Sequence, residues 1–340
     1  MMSLSGARSE DGLVFGIYPG SGVGVDPSSV EGAMGSSVIS GPADDPTRIK
    51  EALDRLQLKG HPFLVRGYLH YIGSGKKANI TPADMTQYVS ESEQRMLDLA
   101  VCYRTNESNV GDWTNFLRSI IWEYGSSLAK LQVAEEPNNP NAAAGGDGGF
   151  KDVRRAIIEG IIAAKDEIQK SCYQVQVGFN AVPSFNPADD FWKEIASLGS
   201  NNPSFKDALD YVGFDFYPGV FRPLPPNLNP KDAVVGVLTQ FRTVNLATGG
   251  IPPSIPIHIT ENGCPTSPTR SYEQQAATIE QVIRAIYQKR IELNITHYEF
   301  FDLRNADSSK PDLQFGLLRD DYTSKPAFET FRKVIAELTK

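Results

Sequence analysis

Short apolar runs of strand length alternate along this chain with longer stretches whose apolar residues recur at helical spacing. The strand-like runs are LVFGIYP (13–19), PFLVRGYLHY (62–71), LDLAVCYR (97–104), SLAKLQVAEE (127–136), YQVQVGFN (173–180), LDYVGFDFYP (209–218), PIHITENG (256–263) and ITHYEFFDLR (295–304). A helix-like segment follows each, at 47–57, 82–97, 112–125, 150–169, 188–199, 231–244, 271–293 and 325–340. Asp112 is the expected N-cap of the third helix and Gly125 its stop. A helix between two strands returns the chain to the same end of the sheet, so the strands pair in parallel. Eight such units predict an α/β fold of the closed (β/α)8 kind, a TIM barrel, rather than an open doubly wound sheet. Such a barrel takes ~250 residues, and the rest of the chain goes into loops.

No linker divides the chain. It reads as a single barrel domain over 1–340, with residues 1–12 as a flexible N-terminal extension. The glycine-rich run AAAGGDGG (142–149) and the proline-rich stretch around 218–230 read as loops at the barrel mouth. The first of them is expected to be flexible. Long loops at 20–45, 138–149 and 218–255 would wall the mouth and favour short substrates.

Composition excludes several classes of function. Net charge is −8 and the isoelectric point about 5.2. An acidic surface argues against nucleic acid or an anionic membrane as partner. Three scattered cysteines form neither a disulfide framework nor a zinc site. No apolar run reaches the ~18 residues of a membrane span. No basic start followed by an apolar stretch marks a leader, so a cytoplasmic location is the default expectation. His70, His258 and His297 have no metal-ligand spacing and read as satisfied structural histidines, with His70 near enough to the second strand's end to reach a ligand. No metal or organic cofactor is expected. Nothing in the chain speaks to its oligomeric state.

The stretch LQVAEEPNNP (131–140) is the exception to ordinary strand chemistry. An apolar strand ends on two adjacent carboxyls, Glu135 and Glu136, and then Pro137. In a (β/α)8 barrel, chemistry sits at the C-terminal ends of the strands. Glu136 ends the fourth strand and Glu261, in HITENG, ends the seventh. Barrel closure lets both point into one mouth. Two carboxyls across a pocket are what glycoside hydrolysis needs, one to protonate the leaving oxygen and one to attack the anomeric carbon or activate water. A separation of ~5–5.5 Å corresponds to retention of configuration and ~6.5–9.5 Å to inversion.

EEPN (135–138), ITENG (259–263) and the tail FGLLRDDYTSKPAF (315–328) resemble the clan A retaining glycoside hydrolases, and ITENG is similar to the β-glucosidase family within that clan. The resemblance implies a (β/α)8 barrel that cleaves a β-linked oligosaccharide or other glycoside by double displacement. It implies Glu136 as general acid/base, Glu261 as nucleophile, Arg66 beneath the nucleophile, and a Tyr217 hydroxyl touching it. Phe301 stands roughly where the clan has a tryptophan under the sugar. Asn180, Asp302, Tyr18 and His70 are further candidates for the substrate pocket, and Asp215 ends the sixth strand beside them. Trp113 and Trp192 either stack on sugar or anchor helices on the barrel.

The chain departs from the clan in two places. The clan's asparagine before the acid/base is Glu135 here, and its tryptophan is Phe301. Glu135 either enters the pocket, where it would raise the proton affinity of Glu136, or lies outside it, because adjacent strand residues face opposite ways. The departures also admit an alternative: a carbohydrate-binding barrel that no longer catalyses.

Overall fold

The computed structural model describes residues 12–21, 41–186 and 188–339. The N-terminal extension other than Gly12, and most of the loop after the first strand, lie outside them.

The described residues form nine strands and eight α-helices. The strands are β1 (Val14–Ile17), β2 (Phe63–Tyr71), β3 (Lys77–Thr81), β4 (Arg95–Tyr103), β5 (Leu128–Val133), β6 (Gln176–Ala181), β7 (Tyr211–Asp215), β8 (Ile257–Asn262) and β9 (Ile295–Phe300). The helices are α1 (Pro46–Leu56), α2 (Val110–Tyr124), α3 (Val153–Ser171), α4 (Phe191–Ser200), α5 (Ser204–Ala208), α6 (Pro230–Gln240), α7 (Tyr272–Leu293) and α8 (Pro326–Leu338). All strands but β3 pair in parallel in chain order, and β1 bonds both β2 and β9, which closes the barrel. The chain is a (β/α)8 barrel. No helix among the described residues is long and apolar enough to cross a membrane.

Local chemistry explains the helix starts. Asp45 accepts from the Thr47 and Arg48 amides ahead of Pro46, and Ser271 and Gln274 form a reciprocal capping box on α7. Helix α2 begins earlier than expected. Asn109, not Asp112, is its N-cap, and its side chain accepts from the Asp112 amide at 3.1 Å. Gly125 does follow its last turn.

The segment 82–97 is not a helix. β2 turns back as the antiparallel strand β3, and 3₁₀ turns at Met85–Tyr88 and Glu91–Glu93 follow. The physical reason lies at its end. Arg95 and Met96 join β4, whose nine residues pair with the whole of β2, and a tight turn bonds Ser90 to Arg95 in both directions. Met85 and Tyr88, spaced as on a helix, are buried from turns instead. Sheet pairing has overridden local propensity.

The barrel interior carries charge. Lys130 is fully buried, 2.9 Å from Asp98 and 2.6 Å from Glu299, and Arg66 reaches Asp98 at 2.9 Å. Lys130 and Arg66 hold the Asp98 carboxyl below its usual range against the burial that opposes them. His258 stacks on Tyr211 at 4.3 Å and meets the His297 ring at 3.8 Å. Neither nitrogen of His258 has a hydrogen-bond partner, so this histidine is packed rather than satisfied. His297 bonds Thr296 through Nδ1 alone.

Candidate active site

β5 ends at Val133, and there the chain leaves strand geometry. Ala134 and Glu136 take left-handed φ values of 68° and 41°. These turns on either side of Glu135 reset the two-residue alternation, so Glu135 and Glu136 both enter the barrel mouth. Such conformations cost ~1–3 kcal/mol each and persist only where their surroundings hold them. Here the Glu135 amide donates to Asp147 Oδ2 at 2.7 Å and the Glu136 amide to Asn180 Oδ1 at 2.7 Å.

Asp147 comes from the glycine-rich run at the mouth, which is tied down rather than free. It is fully buried, also accepts from the Tyr103 amide at 2.6 Å, and lies 2.8 Å from the Arg104 guanidinium. Arg104 donates in turn to the carbonyls of Ala142, Gly145 and Gly146.

Glu261, near the end of β8, receives Tyr217 Oη at 2.7 Å on one oxygen and the Tyr68 hydroxyl on the other. Arg66 Nε is 3.8 Å from the second oxygen, and its shorter contacts go elsewhere. They are Tyr68 Oη at 2.8 Å, Gln132 at 2.9 Å and Glu135 at 3.3 Å, besides Asp98. Asn180 donates to Glu135 at 3.1 Å and to Asp215, which also accepts from Thr260. Gly213 makes room for this, since a Cβ there would lie 2.6 Å from Thr260 Oγ1 and 2.8 Å from Asn180 Cβ.

One carboxyl oxygen from each of Glu135, Glu136, Asp215 and Glu261 lies within 4.8 Å of the others. The spacing would admit a cation, but Gln132, Tyr68, Tyr217, Asn180 and Asn139 already donate to these carboxyls. Crowding like charges in a buried place favours protons. Burial, then the charges of Glu261 and Glu135, push the Glu136 carboxyl well above its usual range. Burial and Glu261 push Glu135 up to about 8 although Arg66 opposes them, and the same two causes raise Asp215. The Asn139 amide, 2.7 Å from Glu136 Oε2, orients that carboxyl.

The other candidates fall on two sides. Tyr18 is buried, its hydroxyl pairs with Thr81, and its ring stacks on Phe301 at 5.4 Å. Phe301 is half-buried and meets Phe315 at 6.0 Å, which touches Tyr217 at 5.8 Å, so an aromatic wall runs along one side of the mouth. His70 and Asp302 are not joined to the four carboxyls by any described contact. His70 meets Asn79 at 2.8 Å through Nδ1, and burial and Arg104 lower its pKa to about 3, so it is neutral. Asp302 is buried in the field of Lys325 and Arg304. Trp113 and Trp192 anchor helices: Trp113 donates to the Ala156 carbonyl at 3.0 Å, and Trp192 packs among Phe191, Phe179 and Phe241.

Sequence reasoning missed Tyr68 and Asp147. The first had a signal: in FLVRGYLHY, Tyr68 stands two residues after Arg66 and therefore on the same face. The second had none, because a carboxyl among glycines reads as solvated loop.

No family model and no curated protein matches the chain. Solved structures do resemble it. One is a family 39 glycoside hydrolase from the gut symbiont Bacteroides cellulosilyticus WH2, at 17% identity and TM-score 0.62, covering 98% of this chain and 65% of that one. A family 1 β-glucosidase from Thermotoga maritima matches at 14% identity and TM-score 0.60, over 97% of this chain and 99% of that one. A β-glucosidase from Exiguobacterium marinum matches at 14% and 0.57, over 96% and 98%. The chain thus spans about two thirds of the family 39 protein and nearly all of each β-glucosidase. At such identities the shared property is architecture: the chain has the (β/α)8 fold of these glycoside hydrolases.

Proposed function

We propose that the protein is a retaining glycoside hydrolase for a β-linked glycoside, with Glu261 as nucleophile and Glu136 as acid/base. The observation that carries this reading is the approach of Glu136 and Glu261 oxygens to within 4.8 Å. Inverting enzymes need room for a water between their carboxyls, ~6.5–9.5 Å, whereas retaining ones sit at ~5–5.5 Å. Arrangement at strand ends of a barrel shared with glycoside hydrolases supports it further.

The chemistry follows from the hydrogen bonds. Tyr68 and Tyr217 hold the two oxygens of Glu261, leaving its carboxylate oriented for attack on the anomeric carbon. The leaving oxygen takes the proton that burial and crowding keep on Glu136. Ester formation removes the charge of Glu261, which weakens the hold of Glu136 on a proton. Glu136 then accepts one from the incoming water, and hydrolysis of the ester frees the sugar. The aromatic wall offers apolar ring faces to the sugar's C–H groups.

The test is a trapping experiment. Dinitrophenyl 2-deoxy-2-fluoro-glycosides of several sugars should leave one sugar as an ester on the peptide containing Glu261. No adduct with any sugar, together with calorimetric binding of a saccharide, would favour a binding barrel without catalysis.

A further inference from the structure

Beside the four carboxyls, a groove of about 330 Å³ opens between the loops that follow β5, β6 and β7. Its volume is at the low end for small-molecule sites, ~300–1,000 Å³, and suits a single ring. Asn139 lines the groove and also donates to Glu136 Oε2 at 2.7 Å. The groove therefore adjoins, through Asn139, the carboxyl that would protonate the leaving oxygen. One wall is clamped by reciprocal bonds between Asn138 and Val182, at 2.8 and 2.9 Å. On another, Phe185 is 59% exposed with the Arg222 guanidinium 4.6 Å above its ring. Among the described residues no carboxylate lies within ion-pair distance of Arg222, and no carboxyl lines the groove. In a chain of net charge −8, that leaves a cation without a carboxylate partner seated over an exposed aromatic ring next to an acidic site.

We infer that this groove binds the leaving unit, and that Arg222 and Phe185 select glycosides whose leaving unit is one ring carrying a carboxylate. The guanidinium supplies a charge-assisted pair to the carboxylate and the phenyl ring a stacking face. Assignment as the leaving side rests on the glycosidase reading; recognition of an anionic ring does not.

The experiment has two arms. In the first, kcat/KM is measured for 4-carboxyphenyl and phenyl β-glycosides with the wild type and Arg222→Gln. The carboxyphenyl-to-phenyl ratio should fall by about three- to tenfold in the variant, the size of a solvent-accessible charge-assisted contact. An unchanged ratio would overturn the inference while leaving the hydrolase reading intact. In the second arm, binding of 4-hydroxybenzoate and phenol is followed by NMR. Binding of 4-hydroxybenzoate weakened by Arg222→Gln, with no glycoside cleaved, would sink the hydrolase reading and keep the anionic-ring site. Binding that ignores Arg222 would overturn the site itself.

Discussion

The Tyr68 hydroxyl lies between Arg66 and Glu261: it accepts from Arg66 Nε at 2.8 Å and donates to the Glu261 carboxyl. A buried charge network is thereby connected to the proposed nucleophile. Tyr68→Phe removes a hydrogen bond to a charged group, worth ~1.5–3 kcal/mol. The expected outcome is a fall in kcat of about ten- to 100-fold on activated aryl glycosides. A change confined to KM would show that Tyr68 serves only the pocket's shape.

The two carboxyls should separate by leaving group. Glu261→Ala is expected to lose turnover on every substrate. Glu136→Ala should retain activity mainly on dinitrophenyl glycosides, whose leaving oxygen needs no proton. Steady-state kinetics across a series of phenols tests this, and equal losses for both variants on all substrates would contradict the roles assigned.

Glu135 should set the alkaline limit of activity. A glycosidase acid works protonated, so activity falls as pH rises through its pKa. The Glu135 carboxyl, itself pushed up to about 8 by burial and Glu261, helps to raise Glu136 once ionised. Glu135→Gln removes that charge, so the basic limb of the kcat/KM profile should move to lower pH. An unmoved limb would mean that the Glu135 charge does not raise the proton affinity of Glu136.

His258 should cost stability in acid. Burial, then His297 and Lys130, lower its pKa well below the ordinary value, so it is neutral in the fold. The unfolded chain binds a proton near pH 6.5 that the fold refuses, and stability drops as pH falls below that point. His258→Phe keeps a flat ring between Tyr211 and His297. Relative to the wild type, it should gain about 1.4 kcal/mol per pH unit below 6.5 in urea unfolding. A difference independent of pH would show a protonated His258 in the fold.

Asp147 should matter for folding more than its place among glycines suggests. Asp147→Ala strands the largely buried Arg104 and frees the Tyr103 and Glu135 amides. Breaking a buried pair costs ~3–5 kcal/mol. A thermal shift of only a degree or two would place the anchor of the Glu135–Glu136 turn elsewhere.

What the sequence determined by itself was the architecture and the ends of two strands. Apolar runs alternating with amphipathic segments leave a chain little choice but parallel crossovers, and carboxyls ending two such runs have one shared place to meet. Local chemistry also marked the stop of α2 at Gly125. Tertiary structure decided the rest. The segment 82–97 has helical spacing, yet β4 took Arg95 and Met96 because pairing along all of β2 outweighs one helical turn. Alternation alone left Glu135 facing either way; the left-handed turns at Ala134 and Glu136, held by Asp147 and Asn180, brought it inside. Periodicity reports which face a residue shares with its neighbours in sequence. Which distant carboxyls crowd one another, and which proton each must then keep, depends on distances that exist only once the barrel has closed.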